Sequence, residues 1–416
     1  MNEDQTKYML QPGLFSEEIG YQKWLPRVTR LEDQPIETNT WDIPYTITQL
    51  SYLTHSHYRY YGKFPSAVAA QILEEFGPKE KGHYVLDNFC GSGTSLVEAK
   101  LRGIRGYGID ISWLAALASN VKTRHINLSA VRSALREFLS CTPTELPVHP
   151  AETNGQRGWF SIEVFDDLSR VRSWLLEMPK SPEREFLLIG FLGIIRRVSK
   201  AYDAEVRPHL NPDKKERKVL PAFKKKILDM IDSHTLFQEI TSPSVETICY
   251  VANNATLPGR FDDGKCDLII SHPPYLNSFN YRPVFNLEFF WGAAFEHEFA
   301  PPEALGIVHD ELLAHPANES IVARYFAHLE SCYRSAFEIQ PRNGKLAVVI
   351  GDCTRAGSLI PVVDVAIQRI CSIGYRLIQR NYRTTHYGLG KYAYADRADY
   401  HGDGVEKRDA ILVFEK

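Results

Sequence analysis

The stretch VLDNFCGSGTSLVEA, residues 85–99, restricts this chain more than any other. Tyr84-Val85-Leu86 is apolar and ends in Asp87, as a short strand does. A glycine-rich turn follows, Phe89-Cys90-Gly91-Ser92-Gly93, and Thr94 to Arg102 then reads as a helix. Beyond Gly103 a second strand, Tyr107-Gly108-Ile109, ends in Asp110, and a further helix starts near Ser112. Strand, helix, strand, helix is the opening of a parallel sheet with crossover helices. Glycines 91 and 93 allow a sharp turn and close approach of a ligand to the backbone. Ligands of such sheets sit at the carboxyl ends of the strands, where Asp87 and Asp110 lie. Asp110 is placed to accept both ribose hydroxyls of a nucleoside. Neither G-x-G-x-x-G nor G-x-x-x-x-G-K-[ST] fits, because the third dinucleotide glycine is missing and no Lys follows Gly93. An acidic first turn also suits a cationic ligand better than a pyrophosphate.

The flanking sequence predicts how this core is completed. Ala67–Phe76 has helical spacing of its apolar residues and is stopped by Gly77-Pro78. From about 121 to 245 the periodicity is helical, punctuated by prolines. Alternation resumes at Thr247–Val251 and Asp267–Ile270, with further strands expected at Lys345–Ile350, Tyr375–Gln379 and Ala410–Phe414. Residues 1–50 are polar and proline-interrupted and read as an arm or cap on the body. The predicted organisation is an α/β domain, 51–120 and 246–416, interrupted by a helical insertion, 121–245. A hydrophobic content of 44% supports a packed core. The N-terminus shows no signal-peptide pattern, and the longest apolar run, Phe186–Ile195, is about half a membrane crossing. Seven scattered cysteines without a C-x-x-C pair predict reduced thiols in a cytoplasmic protein, with no metal centre.

A second constellation follows the strand at Asp267–Ile270: Ser271-His272-Pro273-Pro274-Tyr275. Two prolines fix the backbone and remove two N–H donors, so nearby carbonyls are expected to stand open as acceptors. Tyr275 adds a flat ring for a base to stack on. Acceptors beside a π surface suit an exocyclic amino group, drawing on its protons while its nitrogen attacks a methyl donor. Cytosine-5 chemistry is disfavoured, since it needs a thiolate, normally from a Pro-Cys pair, and no Pro-Cys occurs.

Together the two runs resemble the D-x-F-x-G-x-G and [DNS]-P-P-[YFW] motifs of S-adenosylmethionine-dependent DNA amino-methyltransferases, which make N4-methylcytosine or N6-methyladenine. Arg59-Tyr60-Tyr61-Gly62-Lys63-Phe64-Pro65 is similar to the family's R-Y-x-x-K-F segment, which closes over the methionine end of the cofactor. Asn253-Asn254-Ala255-Thr256 resembles the segment that touches adenine, and PPYLNSFNYRPVFNLEFFW resembles the subset described as N4-cytosine-type. The resemblance implies a Rossmann-like class I methyltransferase fold, a mostly parallel sheet with a C-terminal antiparallel hairpin. It also implies a cofactor site of Tyr60, Lys63, Phe64, Pro65, Asp87, Phe89, Gly91, Gly93, Thr94, Asp110, Ile111, Asn254 and Ala255. Ser271, His272, Pro273, Pro274 and Tyr275 would form the catalytic turn. His272 departs from the family's Ser, Asp or Asn before the two prolines. A neutral imidazole accepts a proton through one ring nitrogen and an imidazolium does not.

The overall charge is −3, so contact with nucleic acid requires a local basic patch. Residues 196–226 supply one, with eleven basic side chains against four acids: Arg196, Arg197, Lys200, Arg207, Lys214, Lys215, Arg217, Lys218, Lys224, Lys225 and Lys226. A second candidate is 380–408, where Arg380, Tyr382, Arg383, His386, Tyr387, Lys391, Tyr392 and Tyr394 interleave cations with aromatics. The expected partner is double-stranded DNA, with cytosine N4 favoured over adenine N6, in a restriction-modification or phage-defence setting alongside cognate proteins. The rival expectations are an RNA or protein-glutamine methyltransferase, and a DNA-binding partner subunit that has lost turnover through His272.

Overall fold

The computed structural model describes residues 29–30, 40–43, 45–141, 158–203, 205–257, 259–261, 263–304, 311–355, 358–383 and 409–416. Its strands are β1 (Thr29–Arg30), β2 (Thr40–Asp42), β3 (Tyr84–Asp87), β4 (Arg105–Asp110), β5 (Thr247–Val251), β6 (Cys266–Ser271) and β7 (Lys345–Gly351). A small hairpin, β8 (Cys353–Arg355) and β9 (Ser358–Ile360), stands apart; β10 (Arg376–Arg383) and β11 (Asp409–Glu415) finish the main sheet. The main sheet has the order β1-β2-β10-β11-β7-β6-β3-β4-β5. β7, β6, β3, β4 and β5 are mutually parallel, and β11 runs antiparallel between β7 and β10. This is the expected Rossmann-like sheet with its reversed C-terminal hairpin.

All four residues of β3 are buried, as parallel strands covered on both faces must be. One face is covered by α1 (Ser66–Phe76), packed through Val68, Ile72 and Leu73 on Val85, Leu268 and Val349. The glycine turn leads into α2 (Thr94–Leu101), and β4 leads into α3 (Trp113–Thr123), which Ser112 caps by accepting from the Ala115 N–H. Between α3 and β5 the described chain is helical: α4 (Leu128–Ser140), α5 (Ile162–Glu177), α6 (Pro182–Leu192), α7 (Ile195–Val198) and α8 (Val219–Ile240). Short helices α9 (Tyr281–Val284), α10 (Asn286–Gly292) and α11 (Glu296–Phe299) follow the proline turn at 273–274. α12 (Glu319–Ile339) and α13 (Val362–Ile373) cover the other sheet face.

The apolar run at 186–195 is explained by its surroundings. α6 is buried on every side, with Phe186 to Leu192 packed among α3, α8 and α10, and a helix apolar all round belongs in an interior. Each such side chain contributes roughly 1.5–3 kcal/mol of burial. Helices α4 to α8 share this one core with α3 and with Phe285, Leu287 and Trp291, so they buttress the wall that follows the proline turn.

Two features of the sheet were not legible beforehand. Part of the N-terminal arm joins the sheet: Thr40 and Trp41 of β2 pair in parallel with Tyr382 and Arg383 of β10, and Trp41 is fully buried. Strands of two and three residues are too short to show alternation. β10 also continues past Gln379 to Arg383, because Arg380, Asn381 and Tyr382 stay in register with β11 despite their polarity.

Candidate active site

The carboxyl ends of β3, β4 and β6 open into a cleft of about 980 Å³ counting its mouth. The glycine turn forms its floor. Gly91 and Gly93 have φ of +50° and +78°, and a Cβ on Gly93 would lie 2.2 Å from the Ser119 hydroxyl. Asp110 holds the turn from the side: Oδ2 accepts from the Gly91 N–H and Oδ1 from the Ser112 N–H, both at 2.8 Å. Asp87 Oδ1 accepts from the Phe89 N–H at 3.1 Å. Burial pushes Asp87 up to about 7 and Asp110 up to about 6, against the pull of those backbone N–H groups. Lys63, whose Nζ donates to the His55 carbonyl at 3.1 Å, is pushed down to about 7 by burial.

Of the residues expected at the cofactor, Tyr60, Lys63, Phe64, Asp87, Phe89, Gly91, Thr94, Asp110, Ile111 and Asn254 line the cleft. Pro65, Gly93 and Ala255 do not: Pro65 precedes α1, Gly93 is pressed on Ser119, and Ala255 is turned back on Asn253. Asn254 spends its amide on the protein, donating to the Asn88 carbonyl at 2.7 Å and accepting from Cys332. It clamps the turn from behind.

Several lining residues escaped the sequence reading. Asn88 is fully buried, lines the cleft, and has neither side-chain polar atom bonded. It sits at an unspecified position inside the motif, so nothing in the pattern marked it. Tyr281, Phe285 and Phe289 form an aromatic wall, with Tyr60 stacked on Tyr281 and Phe285 at 5.5 and 5.0 Å. Their spacing of four residues was the available signal. Glu311 and His328 also line the cleft.

The proline turn, residues 271–275, is held more firmly, and is less open, than two prolines suggest. Ser271 is fully buried and its hydroxyl donates to Tyr333 Oη at 3.3 Å. The Pro274 carbonyl accepts from Tyr325 Oη at 2.8 Å, which corrects the expectation of open carbonyls there. Both tyrosines belong to α12, eight residues apart on one face. Asn277 Nδ2 donates to the Thr354 carbonyl, Asn277 Oδ1 accepts from Ala317, and Asn280 Oδ1 accepts from Ala314 and His315. These two asparagines give the L-N-S-F-N-Y continuation a physical reason: they bracket the turn. His272 and Pro274 reach the cleft. The His272 ring stacks on Phe64 at 5.0 Å and meets the edge of Tyr275 at 5.3 Å. Tyr275 itself is buried, does not line the cleft, and accepts from Arg383 Nη2 at 3.4 Å. Pro273 is buried.

The basic cluster divides. Arg196 is buried, which corrects its reading as a phosphate contact. Its guanidinium donates to Tyr61 Oη and to the carbonyls of Glu205, Val206 and Val284, and sits 3.8 Å from Glu288. Lys214 is committed to the Ala201 carbonyl and Asp203, and Lys226 donates to the Ser56 carbonyl and is pushed down to about 8 by burial. A one-dimensional charge count does not separate solvated cations from these. Arg197, Arg207, Lys215, Arg217, Lys218, Lys224 and Lys225 are exposed, and Lys200 is half-buried. In the second candidate, Arg380 pairs with Asp364 and Arg383 is buried on Tyr275, while His386, Tyr387, Lys391, Tyr392 and Tyr394 lie outside the described residues.

The family model described as DNA methylase matches residues 11–120, a span that contains the Arg59–Pro65 segment, the glycine turn and Asp110. Over this span the chain is similar to DNA methylases. It is 27% identical over 268 residues to the Type II methyltransferase M.MvaI of Kocuria varians, covering 58% of each chain. It is 25% identical to M.BsoBI of Geobacillus stearothermophilus over 56% of this chain and 52% of that one. A shorter match, 31% identical over 24% of this chain and 19% of the other, is to M.MjaII of Methanocaldococcus jannaschii. The chain thus spans little more than half the length of the first two relatives. Among solved structures, the rRNA methyltransferase aviRa from Streptomyces viridochromogenes aligns over 84% of this chain and 85% of that one, at 11% identity and a TM-score of 0.30. That likeness is too loose to argue from. The assignment of the fold rests on the strand order itself.

Proposed function

We propose that this chain transfers a methyl group from S-adenosylmethionine to an exocyclic amino group of a base in double-stranded DNA, at cytosine N4 before adenine N6. The observation that carries the reading is one cleft joining the Asp87–Asp110 turn to the His272–Pro274 turn. The residues present fit the cofactor. Two buried carboxyls with raised pKa seek a cation, Asp110 keeps a second lone pair on each oxygen for a diol, and Asn88 has a whole amide unbonded. When bound, S-adenosylmethionine supplies an electrophilic methyl on a sulfonium. Asp110 holds the ribose, Asp87 balances charge near the methionine end, and Lys63 with Phe64 closes over it. His272, steadied by Phe64, accepts a proton of the amino group through a neutral ring nitrogen. Because a paired base is out of reach, the target is flipped into the cleft. The insertion, 121–245, carries target recognition, with phosphate contact by its exposed cations. The setting we infer is the modification arm of a restriction or phage-defence system in the cytoplasm, supported by the Type II names of the first relatives. Among the described residues, no helix is long and apolar enough to cross a membrane.

Nucleoside mass spectrometry on DNA from cells expressing the protein tests this directly. N4-methylcytosine or N6-methyladenine above background supports it and fixes the base. Methyl groups in RNA alone, or in neither nucleic acid, overturn it.

Two further results are expected. Cofactor affinity should fall about tenfold between pH 8 and pH 6, because Asp87 takes up a proton near 7 and a neutral carboxyl no longer balances a cation. Titration calorimetry with S-adenosylmethionine should show this, and the uncharged thioether product should respond less. The sign for folding is opposite. The ligand-free folded protein keeps the Asp87 proton to about pH 7, whereas the unfolded chain loses it near 4, so stability falls as pH rises through that window. Asp87→Asn should therefore raise Tm at pH 8 while flattening the pH dependence of binding. Separately, Tyr325→Phe should lower kcat about tenfold while leaving the cofactor KM unchanged, since it frees the Pro274 carbonyl without touching the cofactor turn.

A further inference from the structure

Asn88 carries an amide that the fold does not use. The residue is fully buried and lines the cleft, and both polar atoms of its side chain are unbonded, so exchanging Oδ1 and Nδ2 alters nothing. Its main chain, by contrast, is fully committed. The N–H donates to the Ile270 carbonyl at 3.2 Å, and the carbonyl accepts from Asn254 Nδ2 at 2.7 Å. Cys332 in turn donates to Asn254 Oδ1 at 3.0 Å, and Asp87 Oδ1 fixes the next N–H, that of Phe89. The backbone is clamped while the amide is left open, and leaving a buried donor and acceptor without partners costs stability. Such a cost is kept where a ligand supplies the partners.

The position of the amide selects its ligand. Asp87 pairs with Ile270 across β3 and β6, and Ile270 directly precedes Ser271, so the Asn88 N–H ties the glycine turn to the start of the proline turn. Asn88 stands at the seam of the two, with Asp87 and Phe89 beside it in the chain and His272 and Pro274 beyond β6, all lining one cleft. A methyl passing from a cofactor on the first turn to a base at the second crosses this seam. The cofactor placed above is held by Asp87, Asp110, Lys63 and Phe64 without the amide. The exocyclic amino group of cytosine or adenine lies beside a ring nitrogen, a donor next to an acceptor. A carboxamide presents the complement, and asparagine meets a base edge in this bidentate way.

We propose that Asn88 binds the flipped base: Nδ2 donates to the ring nitrogen beside the target amino group, and Oδ1 accepts one of that group's two protons. This rests on the DNA reading above. The amino nitrogen bonds to the methyl carbon as the methyl–sulfur bond breaks, and the pair of that bond stays on sulfur. One amino proton leaves to His272, and the proton on Oδ1 stays on the nitrogen of the product. Two acceptors on two turns thus divide the two protons between them.

The test crosses two changes, Asn88→Ala in the full chain and removal of the ring nitrogen from the target base. The duplex carries the sequence found by mapping modified bases in host DNA. Its target is replaced by 3-deazacytosine where mapping gives N4-methylcytosine, and by 1-deazaadenine where it gives N6-methyladenine. Duplex affinity is read with the uncharged thioether product bound, so the reactivity of the analogue does not enter. Asn88→Ala should lose about thirtyfold on the natural base and about threefold on the deaza base, which has no acceptor for Nδ2. Cofactor affinity should stay within about twofold, and Tm should hold or rise, because an unbonded buried amide is removed. Asn88→Leu, which keeps the branched shape, gives the same comparison should Asn88→Ala fail to fold. An equal loss on the two bases, or none on either, overturns the base contact and leaves DNA methylation standing. A loss confined to cofactor affinity also overturns it and gives the amide to the cofactor. If the unaltered protein methylates neither host DNA nor the natural duplex, the functional reading fails and the base contact fails with it.

Discussion

Replacing His272 by alanine should lower kcat for methyl transfer by about a hundredfold or more, the usual size of a lost proton acceptor. The geometry leaves the turn few alternatives. The Ser271 hydroxyl points into the core at Tyr333, and the Pro274 carbonyl is taken by Tyr325. His272 is the side chain of the turn that reaches the cleft with a nitrogen acceptor, and its ring plane is set by the Phe64 face and the Tyr275 edge. His272→Asn keeps an acceptor on a shorter arm and should recover part of the rate. Phe64→Leu removes the stacking partner and should fall between the two. Single-turnover transfer to duplex DNA measures all three, with cofactor calorimetry as the control for an intact cleft. Should His272→Ala keep a third or more of the rate, backbone carbonyls do the work and the imidazole is a tolerated substitute.

The largest stability effect should come from Arg196→Ala, at about 3–5 kcal/mol, the range for breaking a buried charge pair. Removing the guanidinium strips donors from three carbonyls and the Tyr61 hydroxyl, and leaves the buried Glu288 carboxyl, already raised by burial, without its cation. Arg196→Lys should recover little, because an ammonium does not reproduce the fork that spans Tyr61, Val206 and Val284. Glu288→Gln added to Arg196→Ala should recover part of the loss by removing the stranded carboxyl. Urea midpoints at constant m-value give these differences. If Arg196→Ala instead leaves the midpoint in place and lowers DNA affinity with a shallower salt slope, the side chain contacts phosphate after all.

The contrast between Arg196 and His272 shows what each level of description decides. The sequence alone was enough for the central strands, for the glycine turn between two acidic strand ends, and for the proline turn after β6, because each is local. Strand periodicity, a positive φ that demands glycine and the absence of a proline N–H are properties of a few adjacent residues. The order of the strands in the sheet was not among the local features and came with the fold. What the tertiary structure decided is which polar groups remain for a ligand. Eleven basic residues look alike along the chain, yet the packing of α7 beside α10 buries Arg196 against Val284 and Glu288, and Lys214 and Lys226 are tied to backbone carbonyls. Ser271 and the Pro274 carbonyl look available until α12, fifty to sixty residues later, brings Tyr333 and Tyr325 onto them. Asn88 carried no mark in the motif, and only the closed fold shows its amide buried and unbonded. Whether a polar atom is satisfied depends on partners far away in the chain, so it is settled by the packed fold.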